Sequence, residues 1–263
     1  MRPRYNLAPP VPPPDPTARE RVAAQRWYHT LELPGGIVTD GWFDLRPHVA
    51  RYGLPDRLDG LRVLDVGTGD GFWAFELERR GAEVVALDVE YEHEYDIPPR
   101  RRPARFPDTR RGDGFRLAHE LLGSTAQRVH RNLYDASPAQ LGTFDLVFCG
   151  AVLIHLRDQL LALERMAALC HGRLILAEEH DRLSGLIPFP VARYRADRDR
   201  AVVFWLPSAR TWRRMVWTAG FEDVGEHGRF KLALGRRTVV PHVVIHARGT
   251  ATPQRPAAAS SSE

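Results

Sequence analysis

The residues with chemistry to offer sit at the ends of apolar runs. In VLDVGTGDGFWAFE, residues 63–76, Asp65 precedes three glycines at alternate positions, Gly67, Gly69 and Gly71. Glycine weakens a regular element and serves where backbone turns tightly or lies against something else. A carboxylate two residues before the first glycine favours a cationic group such as an ammonium and repels a pyrophosphate. The dinucleotide fingerprint G-x-G-x-x-G, which sets a pyrophosphate on a helix N-terminus, also has a different spacing. A second candidate, His155, follows the apolar run FDLVFCG, residues 144–150. An imidazole titrates near neutrality and can take a proton from a reacting group; equally, a histidine there can open a helix and bond to nearby backbone. Glu178, Glu179 and His180 close a further apolar run, GRLILAEE. Adjacent residues on a strand point apart, so E-E-H-D is a poor metal set. These three read as substrate contacts or solvated groups.

The elements that must position these residues alternate. LRVLDVG (61–67), AEVVALDV (82–89), AQRVHRNL (126–133), FDLVFCG (144–150) and GRLILAEE (172–179) read as buried strands. Between them, Phe72–Arg80, Phe115–Leu122 and HLRDQLLALERMAALC (155–170) have helical spacing. Strand alternating with helix predicts an α/β fold, doubly wound, with a mostly parallel sheet covered on both faces. In such a sheet ligands bind beyond the carboxyl ends of the strands, where the glycine loop falls. Thr17–Tyr28 also reads as a helix. A long irregular stretch follows Glu179 to Leu206. A helix in PSARTWRRMVWTAGF then has Ser208 as its N-cap, and FEDVGEHGRFKLAL and VVPHVVIHAR close the chain as two strands.

The 263 residues are ordinary for a globular chain, 43% hydrophobic and 27% charged. That length suits one large domain, residues 17–249, between a proline-rich arm (1–16) and a tail (250–263) expected to be disordered. No apolar run approaches the ~18 residues of a membrane span, and the first residues lack the apolar core of a secretory signal. Cys149 and Cys170 lie in apolar surroundings and read as reduced core thiols, which fits a cytoplasmic protein. The formal charge of +4 comes with a single lysine, Lys231, all other basic residues except histidine being arginine. That bias, and the six arginines among four prolines in PPRRRPARFPDTRR (98–111), read as composition and a solvated loop rather than a nucleic-acid surface.

The glycine loop and its surroundings resemble class I S-adenosylmethionine-dependent methyltransferases, over roughly residues 60–250. The resemblance implies a Rossmann-like sheet of seven strands and S-adenosyl-L-methionine as cofactor. It places Asp65, Gly67, Thr68 and Gly69 at the methionine end, with Gly150. Asp88 and Val89, at the end of the second strand, fall at the ribose hydroxyls. Tyr134 and Asp135, in NLYD, fall at the adenine, although Asp135 could instead cap a turn before Ser137-Pro138. FDLVFCGAVLIHLRDQLLALERMAAL, ELPGGIVTDGWFD and WLPSARTWRRMVWTAGFEDV further resemble the group related to the bacterial tRNA wobble-uridine carboxymethyltransferase. In that group a tyrosine before the histidine of V-L-Y-H and an N-terminal lysine hold the carboxylate of a carboxylated donor. Here Ile154 stands at the tyrosine position and no lysine precedes Lys231, so the ordinary methyl donor is expected.

The expected activity is methyl transfer to an oxygen, nitrogen or carbon of a small-molecule acceptor, with specialised metabolism as the expected setting. His155 is the catalytic candidate, and no metal or membrane partner is expected. Arg193, Tyr194, Arg195, Phe204 and Trp205 would roof the acceptor. Trp27, Tyr28 and His29 would form a lid or simply belong to the core. An RNA-modifying methyltransferase and a non-catalytic cofactor-binding module are the alternatives.

Overall fold

The computed structural model describes residues 16–107, 110–197, 203–234 and 238–256. The helices are α1 (Pro16–Ala24), α2 (Phe72–Arg79), α3 (Asp113–Leu122), α4 (Pro138–Leu141), α5 (Gln159–Leu169) and α6 (Ala209–Thr218). Four short strands come first: β1 (Trp27–His29), β2 (Glu32–Leu33), β3 (Ile37–Val38) and β4 (Gly41–Phe43). The main sheet takes β5 (Arg62–Val66), β6 (Glu83–Asp88), β7 (Gln127–His130), β8 (Phe144–Gly150), β9 (Cys170–Glu179), β12 (Glu222–Leu234) and β13 (Thr238–Arg248). The last pair, β10 (Ala192–Tyr194) and β11 (Trp205–Pro207), forms a separate antiparallel hairpin.

The seven strands run β12-β13-β9-β8-β5-β6-β7. From β9 to β7 neighbours are parallel, and β13 inserts antiparallel between β9 and β12. This is the expected Rossmann-like, mostly parallel, seven-stranded sheet. The chain leaves β5 toward β7, then returns to place β8 on the other side of β5. The switch point therefore lies between β5 and β8, where the glycine loop emerges.

Strand alternation produces two cores, one on each face. Leu64, Val66, Val85, Leu87, Val147, Cys149, Leu174 and Leu176 turn toward α5 and α6. Val63, Val84, Ala86, Leu146, Phe148, Ile175 and Ala177 turn toward α2, α3 and the N-terminal strands. Both cysteines are buried and unpaired.

Several boundaries differ from the sequence expectation. The first helix ends at Ala24 rather than Tyr28, because Trp27–His29 pairs in parallel with Gly41–Phe43 and the buried Trp27 indole donates back to Val22 O at 2.9 Å. The helix expected from His155 starts at Gln159, since Asp158 accepts from Leu161 N at 2.9 Å and caps it there, and Cys170 already belongs to β9. Ser208 caps α6 as expected, its hydroxyl accepting from Thr211 N. The stretch to Leu206 is not wholly irregular: it carries the β10–β11 hairpin, with Tyr194 opposite Trp205. Residues 250–254, expected as the start of a disordered tail, bond to the body. Ala251 N donates to Cys170 O, and Thr143 and Gln254 exchange backbone and hydroxyl hydrogen bonds. Pro16 opens α1, whereas the rest of the expected proline arm, and residues 257–263, lie outside the described residues.

Candidate active site

The glycine loop owes its shape to close contacts. Gly67, Gly69 and Gly71 all have positive φ, at 72°, 55° and 93°. A Cβ on Gly67 would lie 2.4 Å from Val152 Cγ2, so the loop presses against the turn that follows β8. Gly67 N and Thr68 N both donate to Leu87 O, tying the loop to the end of β6. Asp88 completes that tie: one carboxylate oxygen accepts from Gly69 N and the other from Val89 N, each at 2.8 Å. Desolvation raises the Asp88 pKa, and each oxygen retains a lone pair for a further donor.

Asp65 ends up buried beneath the loop, and its Oδ2 has no hydrogen-bond partner. Burial pushes its carboxyl up to about 7, against the pull of the Thr68 hydroxyl and the Ala74 backbone. A cationic ligand group above it would restore the ionised form. Asp65, Gly67, Thr68, Gly69, Asp88 and Val89 thus converge on one end of the sheet. Gly150 joins them from β8, where a Cβ would crowd Phe148 and the Trp73 indole nitrogen.

Tyr134 and Asp135 are placed differently. The Tyr134 hydroxyl donates to Asp96 at 2.7 Å and accepts from Asp158 N at 2.9 Å, so its polar tip ties two loops together. Asp135 is exposed, and the turn is capped by Asn132, whose Oδ1 accepts from Tyr134 N at 3.0 Å.

The turn after β8 carries His155, which is exposed. Ala151 opens this turn in the left-handed region, with φ 57°, a costly conformation for an L residue. Glu178 holds it there. Glu178 is fully buried rather than solvated or facing an acceptor, and its Oε1 accepts from Val152 N at 2.9 Å and Leu153 N at 2.7 Å. Its Oε2 is buried without a partner, and burial pushes the carboxyl up to about 8. The β10–β11 hairpin joins the same turn: Phe204 N donates to Ile154 O, and the Gln159 amide bridges Leu153 O and Trp205 O. Ile154 itself is 5% exposed and packs into the core.

The N-terminal strand closes over the glycine loop. Asp70 accepts from Tyr28 N and from His29 N. His29 is buried against Gly69, its Nδ1 has no partner, and burial pulls its pKa down to about 4. Arg111, read from sequence as part of a solvated loop, turns toward this cleft: it stacks on Tyr95, pairs with Glu92, and lies near enough to Asp88 and Tyr28 to shift their pKa values. Asp70 and Arg111 were not singled out in the sequence. Asp70 lies within the glycine loop, but nothing in its spacing points to Tyr28, forty-two positions earlier.

A seven-stranded sheet whose one antiparallel strand is β13, with an acid-and-glycine loop at its switch point, defines the class of open α/β folds that bind a nucleotide-type cofactor at the strand ends. The chain belongs to the methyltransferase domain family, whose model matches residues 42–226. It is similar to the tRNA U34 carboxymethyltransferase of Alcanivorax borkumensis, 32% identical over 70% of this chain and 50% of that protein. It is also similar to the magnesium-protoporphyrin O-methyltransferase of Rhodobacter capsulatus, 36% identical over 40% of this chain and 38% of that one. The chain thus spans half or less of the length of these curated relatives. Among solved structures, the N-terminal domain of EvdMO1 with SAH bound superimposes with a TM-score of 0.61 at 17% identity, over 89% of this chain and 95% of that one, which shows the fold.

Proposed function

We propose that the protein is an S-adenosyl-L-methionine-dependent methyltransferase acting on a small-molecule acceptor. The observation that carries this reading is the buried Asp65 Oδ2 without a partner, under a glycine loop that Asp88 fastens at the switch point. The relatives' names, which include small-molecule O-methyltransferases, support it. When bound, the cofactor supplies a methyl group on a positively charged sulfur with a neutral leaving group.

The chain's own residues bind, orient and deprotonate. Asp65 meets the cofactor's ammonium, and Gly67, Thr68 and Gly69 let backbone approach the methionine end. Asp88 accepts the ribose hydroxyls through its free lone pairs. Gly150 leaves room at the end of β8. Asp135, exposed and uncommitted as a cap, reaches the adenine edge, with Tyr134 beside it as a surface rather than a hydrogen-bonding group. His155 takes the acceptor's proton. Good positioning carries much of the rate in such a displacement. The Ile154 side chain lies in the core and offers no hydroxyl to a carboxylated donor, which supports the plain methyl donor.

Calorimetry with S-adenosylhomocysteine tests the reading. Binding is expected, with no competition from NAD, and Asp88→Ala should weaken it by about 1–3 kcal/mol, the cost of leaving buried hydroxyls unpaired. Tight NAD binding with no response to S-adenosylhomocysteine would sink it. Mass spectrometry of any ligand carried through purification separates the plain from the carboxylated donor. The RNA-modifying alternative draws on the relatives named for tRNA; it predicts RNA binding that falls steeply with salt.

A further inference from the structure

Residues 182–194, RLSGLIPFPVARY, stand out from the body: all but Ser184 and Val191 are exposed. Eleven large apolar side chains are exposed among the described residues, and six of them fall between 183 and 205. That concentration marks a patch rather than scattered surface residues. Leu183 is 71% exposed, Leu186 85% and Phe189 67%. Ile187 stands beside them.

Two features show what this tip suits. The first is charge. No acidic residue lies between Asp181 and Asp197; Arg182 opens the tip, and Arg193 at its far end pairs with Asp181 at 3.3 Å while its side chain stays 42% exposed. Its occupant is therefore apolar in bulk and anionic at its surface. The second is the backbone. Gly185, Leu186 and Ile187 donate their N–H groups to the carbonyls of Arg182, Leu183 and Ser184. Pro188 and Pro190 have no N–H to satisfy, and Pro188 O already accepts from Arg210 at 2.6 Å. These turns and prolines reduce the number of backbone polar groups that a low-dielectric phase would have to leave unmet. Tyr194 and Trp205, ring centroids 4.9 Å apart and partly exposed, lie at the base of the tip, the level at which such rings favour a membrane–water interface.

We propose that the 182–194 tip docks on an anionic lipid bilayer. Leu183, Leu186, Ile187 and Phe189 enter the acyl boundary, and Arg182 meets lipid phosphates. No helix among the described residues is long and apolar enough to cross a membrane; the contact is peripheral. It goes beyond methyl transfer and does not depend on it. Because the tip continues into the hairpin that grips the His155 turn, docking would set the acceptor side of the cleft against the lipid surface.

Vesicle cosedimentation tests this on the full chain. Wild-type protein should pellet with phosphatidylcholine vesicles carrying about 30 mol% phosphatidylglycerol, release at high salt, and bind pure phosphatidylcholine far less. Arg182→Gln should weaken binding roughly fivefold, as one basic residue near an anionic surface does. Leu186→Ser with Phe189→Ser should weaken it by more than about tenfold, with an unchanged melting temperature because both side chains are exposed. No binding to the anionic vesicles, equal binding to neutral ones, or full binding by the double variant would each overturn the proposal. So would light scattering that shows a dimer abolished by the double variant, which would assign the face to a second copy of the chain.

Discussion

A carboxylate can hold its own backbone together or face a ligand, and the proposed site gives the first role to Glu178 and the second to Asp65. Glu178 meets the Val152 and Leu153 N–H groups beneath a left-handed Ala151. Glu178→Ala leaves those donors buried and unpaired, and should cost roughly 2–4 kcal/mol in urea unfolding. Glu178→Gln keeps an accepting oxygen and should cost much less; equal losses would show that the turn does not rest on this bond. His155, on the same turn, is exposed and can change without that penalty. If it takes the acceptor's proton, His155→Ala should lower kcat by ~10²–10⁴-fold and leave S-adenosylhomocysteine affinity alone. Near-normal turnover would remove it from the mechanism. The sequence exposed the first kind of residue poorly. Asp65 and Asp88 stood out as candidates because an acid beside glycines, and an acid at a strand end, carry local signals. Glu178 looked like any acid closing a strand, and only the turn folded over it makes it a buried anchor. Asp135 and Tyr134 show the reverse. Their motif position was clear, but loop contacts to Asp96, Asn132 and Asp158 decide where the groups point.

At the scale of elements, the glycine loop shows how closely two loops of this molecule meet. Gly67 combines φ 72° with a virtual Cβ 2.4 Å from Val152 Cγ2. Gly67→Ala therefore has two separable costs. The left-handed conformation costs about 1–2 kcal/mol for any L side chain, and the collision with Val152 adds to it. Pairing Gly67→Ala with Val152→Ala should recover the collision but not the backbone cost, so a double-mutant cycle by chemical unfolding should show positive coupling of roughly 0.5–3 kcal/mol. Simple additivity would mean that the loop and the turn after β8 move apart freely. Central strands were readable because burial on both faces leaves continuous apolar runs, as in FDLVFCG, whose limits coincide with β8. The two- and three-residue strands β1 to β4 were not. They exist through tertiary partners: Asp70 for the amides of Tyr28 and His29, and Thr39 for Leu31. Nor does pattern reveal that β13 enters the sheet between β9 and β12, since either order buries the same apolar residues.

At the scale of the whole molecule, buried titratable groups on the two faces of the sheet set opposing pH dependences. His29 and His242 are buried, and desolvation lowers both to about 4. Unfolding returns them to an ordinary value near 6.5, so below that pH the unfolded chain binds more protons. Their contribution is complete above about 6.5 and is lost as pH falls toward 4. Asp65 and Glu178 act in the other sense. Burial raises them to about 7 and about 8, so the folded protein keeps protons that the unfolded chain releases. Their contribution is complete at acid pH and is lost as pH rises through those values. Between about 4.5 and 6.5 two groups of each kind work against each other, and stability should change little from these four. Above about 6.5 the histidines have finished and only the acids remain. Stability should then fall until about pH 8, by on the order of 2 kcal/mol from these two acids. The measurement is a set of thermal melts of ligand-free protein from about pH 6 to 9 at fixed salt. A melting temperature that is flat or rises between about 6.5 and 8 would show that Asp65 and Glu178 are ionised in the folded protein. Glu178→Gln offers an internal check. It cannot titrate, so most of the decline above pH 7 should disappear in that variant, while the balance below 6.5 should tip toward the histidines and make stability rise with pH there.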